Sequence, residues 1–141
     1  MKIEPRLGSD LDNTATDLGL VAALPPGVVR PELMFPSWPA PRWVRAVCTT
    51  RRGGVGEPPF DKQNLAAHVG DDAGAVRDNR ATLKLALKLK HDPLWLEQVH
   101  GGGICTASDE ESFFSHRRDG RTGRMAALIW MDPQVEQVDQ A

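Results

Sequence analysis

The sequence predicts an α+β fold. Two observations point there. Short runs of β-branched and apolar residues recur between glycine- and proline-rich breaks, which is how strands read. One stretch near the middle instead repeats its apolar residues at helical spacing. The chain has 141 residues, of which 40% are hydrophobic and 26% charged, so it holds one globular domain at most.

Residues 1–33 read as a flexible N-terminal tail. They contain no aromatic residue, and Pro25-Pro26-Gly27 and Pro31 punctuate them. Residues 34–132 form the domain, and 133–141 are a polar tail. Phe35 to Pro41 holds three prolines, which excludes a central strand. Trp43 to Thr49 is the first strand, apolar on both faces. Arg51 to Gln63 is a long loop. Asp72 is placed to cap a helix over residues 73–88. Val76, Leu83, Ala86 and Leu87 make that helix's apolar side. Leu94 to Val99 alternates as a second strand and delivers His100 to Gly101-Gly102-Gly103. Ile104 to Ala107 is a short strand, and a helical turn follows near Glu110 to His116. Arg124 to Met131 is the last strand, apolar enough to be buried.

The net charge of −2 gives no global field favouring nucleic acid. No apolar run reaches membrane-span length, and the start has no signal-peptide stretch, so the expected location is cytoplasmic. Cys48 and Cys105 do not make a disulfide framework.

Several motifs stand in one order. They are Thr49-Thr50-Arg51-Arg52-Gly53-Gly54-Val55-Gly56, then Pro59 to Asp72, then Asn79-Arg80, then Trp95 to Gly101, and finally Ser112 to Arg124. Together they resemble the laccase-domain, or polyphenol-oxidase-like, family that includes purine nucleoside phosphorylases. The resemblance covers roughly residues 35–131. It implies a sandwich of mixed β-sheet with flanking helices, of which this chain holds a part. It also implies zinc-dependent phosphorolysis of adenosine and inosine, with adenosine deamination alongside. The partners would be a purine nucleoside and phosphate.

The chain departs from that pattern. The family's central segment carries a cysteine in an Ala-Asp-Cys setting and a histidine in a His-Ala-Gly-Trp-Arg setting, and neither motif occurs here. Of the implied zinc ligands only His100 is matched, whereas a catalytic zinc takes three protein ligands. Gly56 and Lys62 stand where serines are usual, and His116 where an aromatic is usual. Gly101 to Gly103 therefore reads as the seam of an internal deletion. The alternative to an enzyme is an inactive shortened member: a scaffold, a subunit completed by another chain, or a fragment without function; an uncovered apolar edge would favour its self-association.

Among single residues, Arg51 suits a phosphate grip, its planar fork backed by Gly53 and Gly54. A solvated arginine in a turn is the competing meaning. Asn64 and His68, four apart, either face the substrate or pin the loop. Arg117 lies in a basic run from His116 to Arg124 and is placed to close over an anionic substrate, or to be a solvated face. Asp71-Asp72 is better explained by helix capping than by metal binding. A makeshift metal set of His100, Cys105 and His68 lacks a supporting shell. Copper is disfavoured, because only four histidines occur and none as His-x-His.

Overall fold

The computed structural model describes residues 22–95 and 110–132. In chain order they form β1 (Leu33–Met34), β2 (Val44–Thr49), α1 (Ala73–Ala86), α2 (His116–Asp119) and β3 (Ala127–Met131). The strands make one sheet in the order β1-β2-β3. Both pairings are antiparallel. Leu33 lies opposite Thr49 and Met34 opposite Cys48, while Val44 through Cys48 run opposite Met131 through Ala127. The fold is α+β as expected, and its described sheet is wholly antiparallel.

β2 forms because Val44, Val47 and Thr49 are β-branched and suit the pleat. Side chains alternate, so Leu33, Val47, Leu128 and Trp130 share the inner face. There Leu33 and Val47 join Leu65, Leu83, Ala86 and Leu87 in the core, with Leu24, Phe35, Leu89, Trp95, Leu128 and Trp130 packed around it. Leu83 and Ala86 are wholly buried. Full burial of a leucine side chain contributes about 1.5–3 kcal/mol.

α1 starts where the sequence places it. Asp72 is extended, and its carboxylate accepts the Ala75 N–H at 2.9 Å. Its end comes two residues early. The Leu87 N–H returns to Leu83, and Lys88 takes φ 54°, so the helical path breaks without a glycine. Val76, Asn79, Leu83 and Ala86 form the buried stripe. Asn79 is an addition to the expected apolar set.

Three further expectations are corrected. The first 33 residues do not all behave as a tail. The Ala22 N–H donates to the Ala86 carbonyl at 2.7 Å, Leu24 packs against the core, and Leu33 is a buried strand residue. Proline punctuation argues against a helix there but does not forbid an extended edge strand. The helical turn expected at Glu110 to His116 is displaced. Residues 110–112 are a turn, and α2 begins only at His116, where Asp119 accepts the Ser115 N–H at 3.2 Å. Finally, β3 is shorter than expected and is not buried. Its pattern alternates, leaving Ile129 66% and Met131 72% exposed. The strand expected at Leu94 to Val99 lies outside the described residues from position 96 onward, as does the one at Ile104 to Ala107. Among the described residues no helix is long and apolar enough to cross a membrane.

Candidate functional site

The motif loops converge on the end of β2 and the first half of α1. The Arg51 carbonyl accepts both the Lys62 and Gln63 N–H groups at 2.9 Å, and the Arg51 N–H donates to Ser112 at 2.8 Å. The loop after β2 is thus tied to the C-terminal motif 61 residues on.

The Arg51 guanidinium is held on every side. Its Nε donates to the Asp61 carbonyl (3.2 Å) and an Nη to the Glu110 carbonyl (3.0 Å). The Asp61 carboxylate lies 3.6 Å away, and the plane sits 4.8 Å from the centre of the Phe114 ring. Only 15% of the side chain is exposed. Its fork is turned to the chain's own Asp61 and Glu110 rather than to solvent. Arg52 is more open, 46% exposed, and reaches the Glu111 carboxylate at 2.9 Å and Glu32 at 3.6 Å.

Asn64 is fully buried and pins the loop. Its Oδ1 accepts the Ala66 and Arg124 N–H groups at 3.1 and 2.9 Å. Its Nδ2 donates to the Ala66 carbonyl at 3.2 Å and the Asp71 carboxylate at 2.9 Å. That uses the whole amide, and it gives Asp71 a structural partner. His68 and Arg117 are exposed. Among the described residues, no hydrogen bond or ion pair joins either of them to Arg51 or Asn64. In the rest of the basic run, Arg118 pairs with Asp119 at 2.6 Å and holds that carboxyl below the usual carboxylate range. Arg121 donates to the Gly70 carbonyl, and Arg124 to those of Thr122 and Gly123. His100 and Cys105 lie outside the described residues. Cys48 is half-buried, and burial pushes its thiol up.

The centre of the arrangement is a residue whose role the sequence reading missed. Asn79 is 1% exposed. Its Oδ1 accepts the Val55 N–H, and its Nδ2 donates to the Lys62 and Asn64 carbonyls, each at 3.0 Å. A signal existed: Asn79 is three residues after Val76 and four before Leu83, on the apolar stripe of α1. Arg80, next along, donates to the Leu65 carbonyl at 2.8 Å and lies over the Trp95 ring at 4.1 Å. A cavity of about 1050 Å³ opens beside α1, lined in part by Val76, Arg77, Arg80, Lys84 and Trp95. None of Arg51, Asn64, His68 or Arg117 lines it.

Gln63 is wholly buried, yet among the described residues neither Nε2 nor Oε1 has a partner. An unsatisfied buried polar group costs about 1–3 kcal/mol. Gln63→Met keeps the unbranched shape and removes the amide, so it should raise the unfolding free energy by an amount in that range. A fall in stability would mean that the amide is hydrogen-bonded in solution, as by a buried water.

A zinc ion does not fit the described donors. His68 and His91 are exposed, and the His116 ring is engaged with the Gly120 carbonyl. No three His, Cys, Asp or Glu side chains converge among the described residues.

Comparison with known proteins then places the chain. A family model described as multi-copper polyphenol oxidoreductase laccase matches residues 45–104 and, again, 101–132. The chain belongs to this family. It is 44% identical over 88 residues to the purine nucleoside phosphorylase YfiH of Escherichia coli (strain K12), covering 62% of this chain and 36% of that protein. It is 56% identical over 74 residues to the purine nucleoside phosphorylase PA4543 of Pseudomonas aeruginosa, covering 52% and 30%. The chain thus spans about a third of the length of the curated relatives it matches. Among solved structures, Neisseria meningitidis protein NMB0706 is 42% identical with a TM-score of 0.36, covering 37% of this chain and 22% of that one.

Proposed function

We propose that this chain is built on the plan of a purine nucleoside phosphorylase and, alone, is catalytically silent. The substrates of that plan are a purine nucleoside, adenosine or inosine, and phosphate, with zinc as the metal and His100 as one ligand. One observation carries the silent reading: Arg51 and Asn64, the strongest polar candidates of the motif loops, are engaged with the chain's own backbone and carboxylates. Such residues support a site rather than contact substrate. His68 and Arg117 are exposed and remain the candidates for substrate contact. The overlap of the two family matches at residues 101–104 supports the reading of Gly101 to Gly103 as a deletion seam.

A catalytic zinc takes three protein ligands and a water. Loss of even one supporting partner behind a ligand lowers metal affinity about ten- to a hundredfold, so a set reduced to His100 should hold zinc weakly. The expected result is substoichiometric zinc after dialysis and no release of free base from inosine or adenosine in phosphate buffer. Stoichiometric zinc with turnover that His100→Ala abolishes would overturn the silent reading. It would mean that Cys105, His68 or a further chain completes the site.

A further inference from the structure

We propose that the cavity beside α1 is a binding site for a planar aromatic phosphate monoester of nucleotide size, with Arg77 and Arg80 on its phosphate. The motif-loop residues do not line this cavity, so the inference does not depend on the catalytic reading.

The cations carry the first step. Arg77 and Arg80 stand three apart on α1, so they share a helix face, and both line the cavity. Arg77 is exposed and makes no hydrogen bond or ion pair among the described residues. Arg80 spends its Nε on the Leu65 carbonyl and lays its plane over the Trp95 ring. Its Nη groups are left without a partner among the described residues. Burial pushes the Arg80 guanidinium down from its usual range, and a neighbouring anion would oppose that shift. A phosphate monoester carries close to two negative charges near neutral pH and three acceptor oxygens. A carboxylate carries one charge and two oxygens. Two open guanidinium groups therefore favour the phosphate.

The walls carry the second step. Val76, Ala81, Leu85 and Leu89 supply apolar surface, and Trp95 adds a ring. At about 1050 Å³ the space stands at the upper limit of small-molecule pockets, about 300–1,000 Å³. Free phosphate would fill one corner and leave the apolar wall wet. A planar aromatic body covers that wall and brings its phosphate within reach of both arginines.

The third step is orientation. Lys84 pairs with Asp92 at 2.7 Å, and both residues line the cavity. Lys84 lies about 10 Å along the helix from Arg77. The Asp92 carboxylate repels an anion at that end. The phosphate thus belongs beside Arg77, and the ring toward Leu85 and Leu89.

The test is calorimetric titration of the full chain with adenosine monophosphate, adenosine and inorganic phosphate in turn. Neither zinc nor turnover enters the measurement, so its outcome is separate from that of the catalytic reading. Adenosine monophosphate is expected to bind once per chain, with adenosine and inorganic phosphate each at least about tenfold weaker. Arg77→Ala should weaken the monophosphate at least about tenfold and leave adenosine nearly unchanged. Arg42→Ala removes an exposed arginine outside the cavity and should change neither. Leu85→Glu places a carboxylate in the half-exposed wall and should weaken both ligands. Far-UV circular dichroism reports whether each variant is folded, and the two cavity positions serve as independent tests. No binding at millimolar adenosine monophosphate would mean that the cavity is filled by the chain itself or by another copy, and would overturn the proposal. So would inorganic phosphate binding as tightly as the monophosphate, or folded variants at Arg77 and Leu85 that bind like Arg42→Ala.

Discussion

Asn79→Leu is expected to lower stability by about 3 kcal/mol or more, enough to leave much of a marginally stable domain unfolded. Leucine keeps the γ-branching of asparagine but removes its hydrogen-bonding groups, and its larger methyls add some overpacking in the same direction. The Val55 N–H and the Asn64 carbonyl lose the bonds that this 1% exposed side chain supplies, while the Lys62 carbonyl loses one of two and keeps the Gly56 N–H. Each buried group left unsatisfied costs about 1–3 kcal/mol. Asn79→Asp separates the contributions. A carboxylate still accepts the Val55 N–H but donates nothing to the two carbonyls, and it brings a charge into the interior. Both variants should therefore be strongly destabilised in urea titrations. If Asn79→Leu is tolerated within about 0.5 kcal/mol, as an ordinary surface change would be, the bridging role is wrong.

What the sequence made legible follows the range of the interaction. The start of α1 was readable because Asp72 caps a group only three residues away. Its end was not, since Lys88 in a left-handed conformation has no residue signature as glycine would. The role of Arg51 was out of reach for the same reason at larger scale. Its partners are Asp61, Glu110 and Phe114, and which of them surround a guanidinium is decided by tertiary packing. Asn64 was half legible: its bond to Ala66 is local, but those to Asp71 and Arg124 are not. β3 shows a different failure. Its apolar composition was read as burial, yet composition reports what a strand could bury and not what lies against it. The family was legible because ordered motifs survive where single-residue roles do not, and the match over residues 45–132 bears this out.

The glycine pair after β2 separates a packing role from an anion-binding one. Gly54→Ala is expected to be as damaging as the loss of Asn79. An alanine Cβ there would lie 2.2 Å from the Lys62 carbonyl oxygen and 2.6 Å from the Gln63 Cα. Both are backbone atoms of a segment fixed by the paired bonds to Arg51, so neither can move aside as a side chain would. At Gly53 the φ of 83° and a Cβ 2.0 Å from the Arg30 carbonyl oxygen impose the same demand. Overpacking a tight interior typically costs about 1–3 kcal/mol, and contact with rigid backbone belongs at the top of that range or beyond it. The Thr50 N–H bond to Glu32 and the Glu32 N–H bond to Arg52 run beside this turn, so its displacement should also loosen the segment leading into β1. The measurement is thermal and urea denaturation of Gly54→Ala with and without phosphate. The expected loss is the same in both, because the glycine makes room for the chain's own backbone. A destabilisation that appears only as lost phosphate protection, with the ligand-free protein unchanged, would return this turn to the anion-binding role.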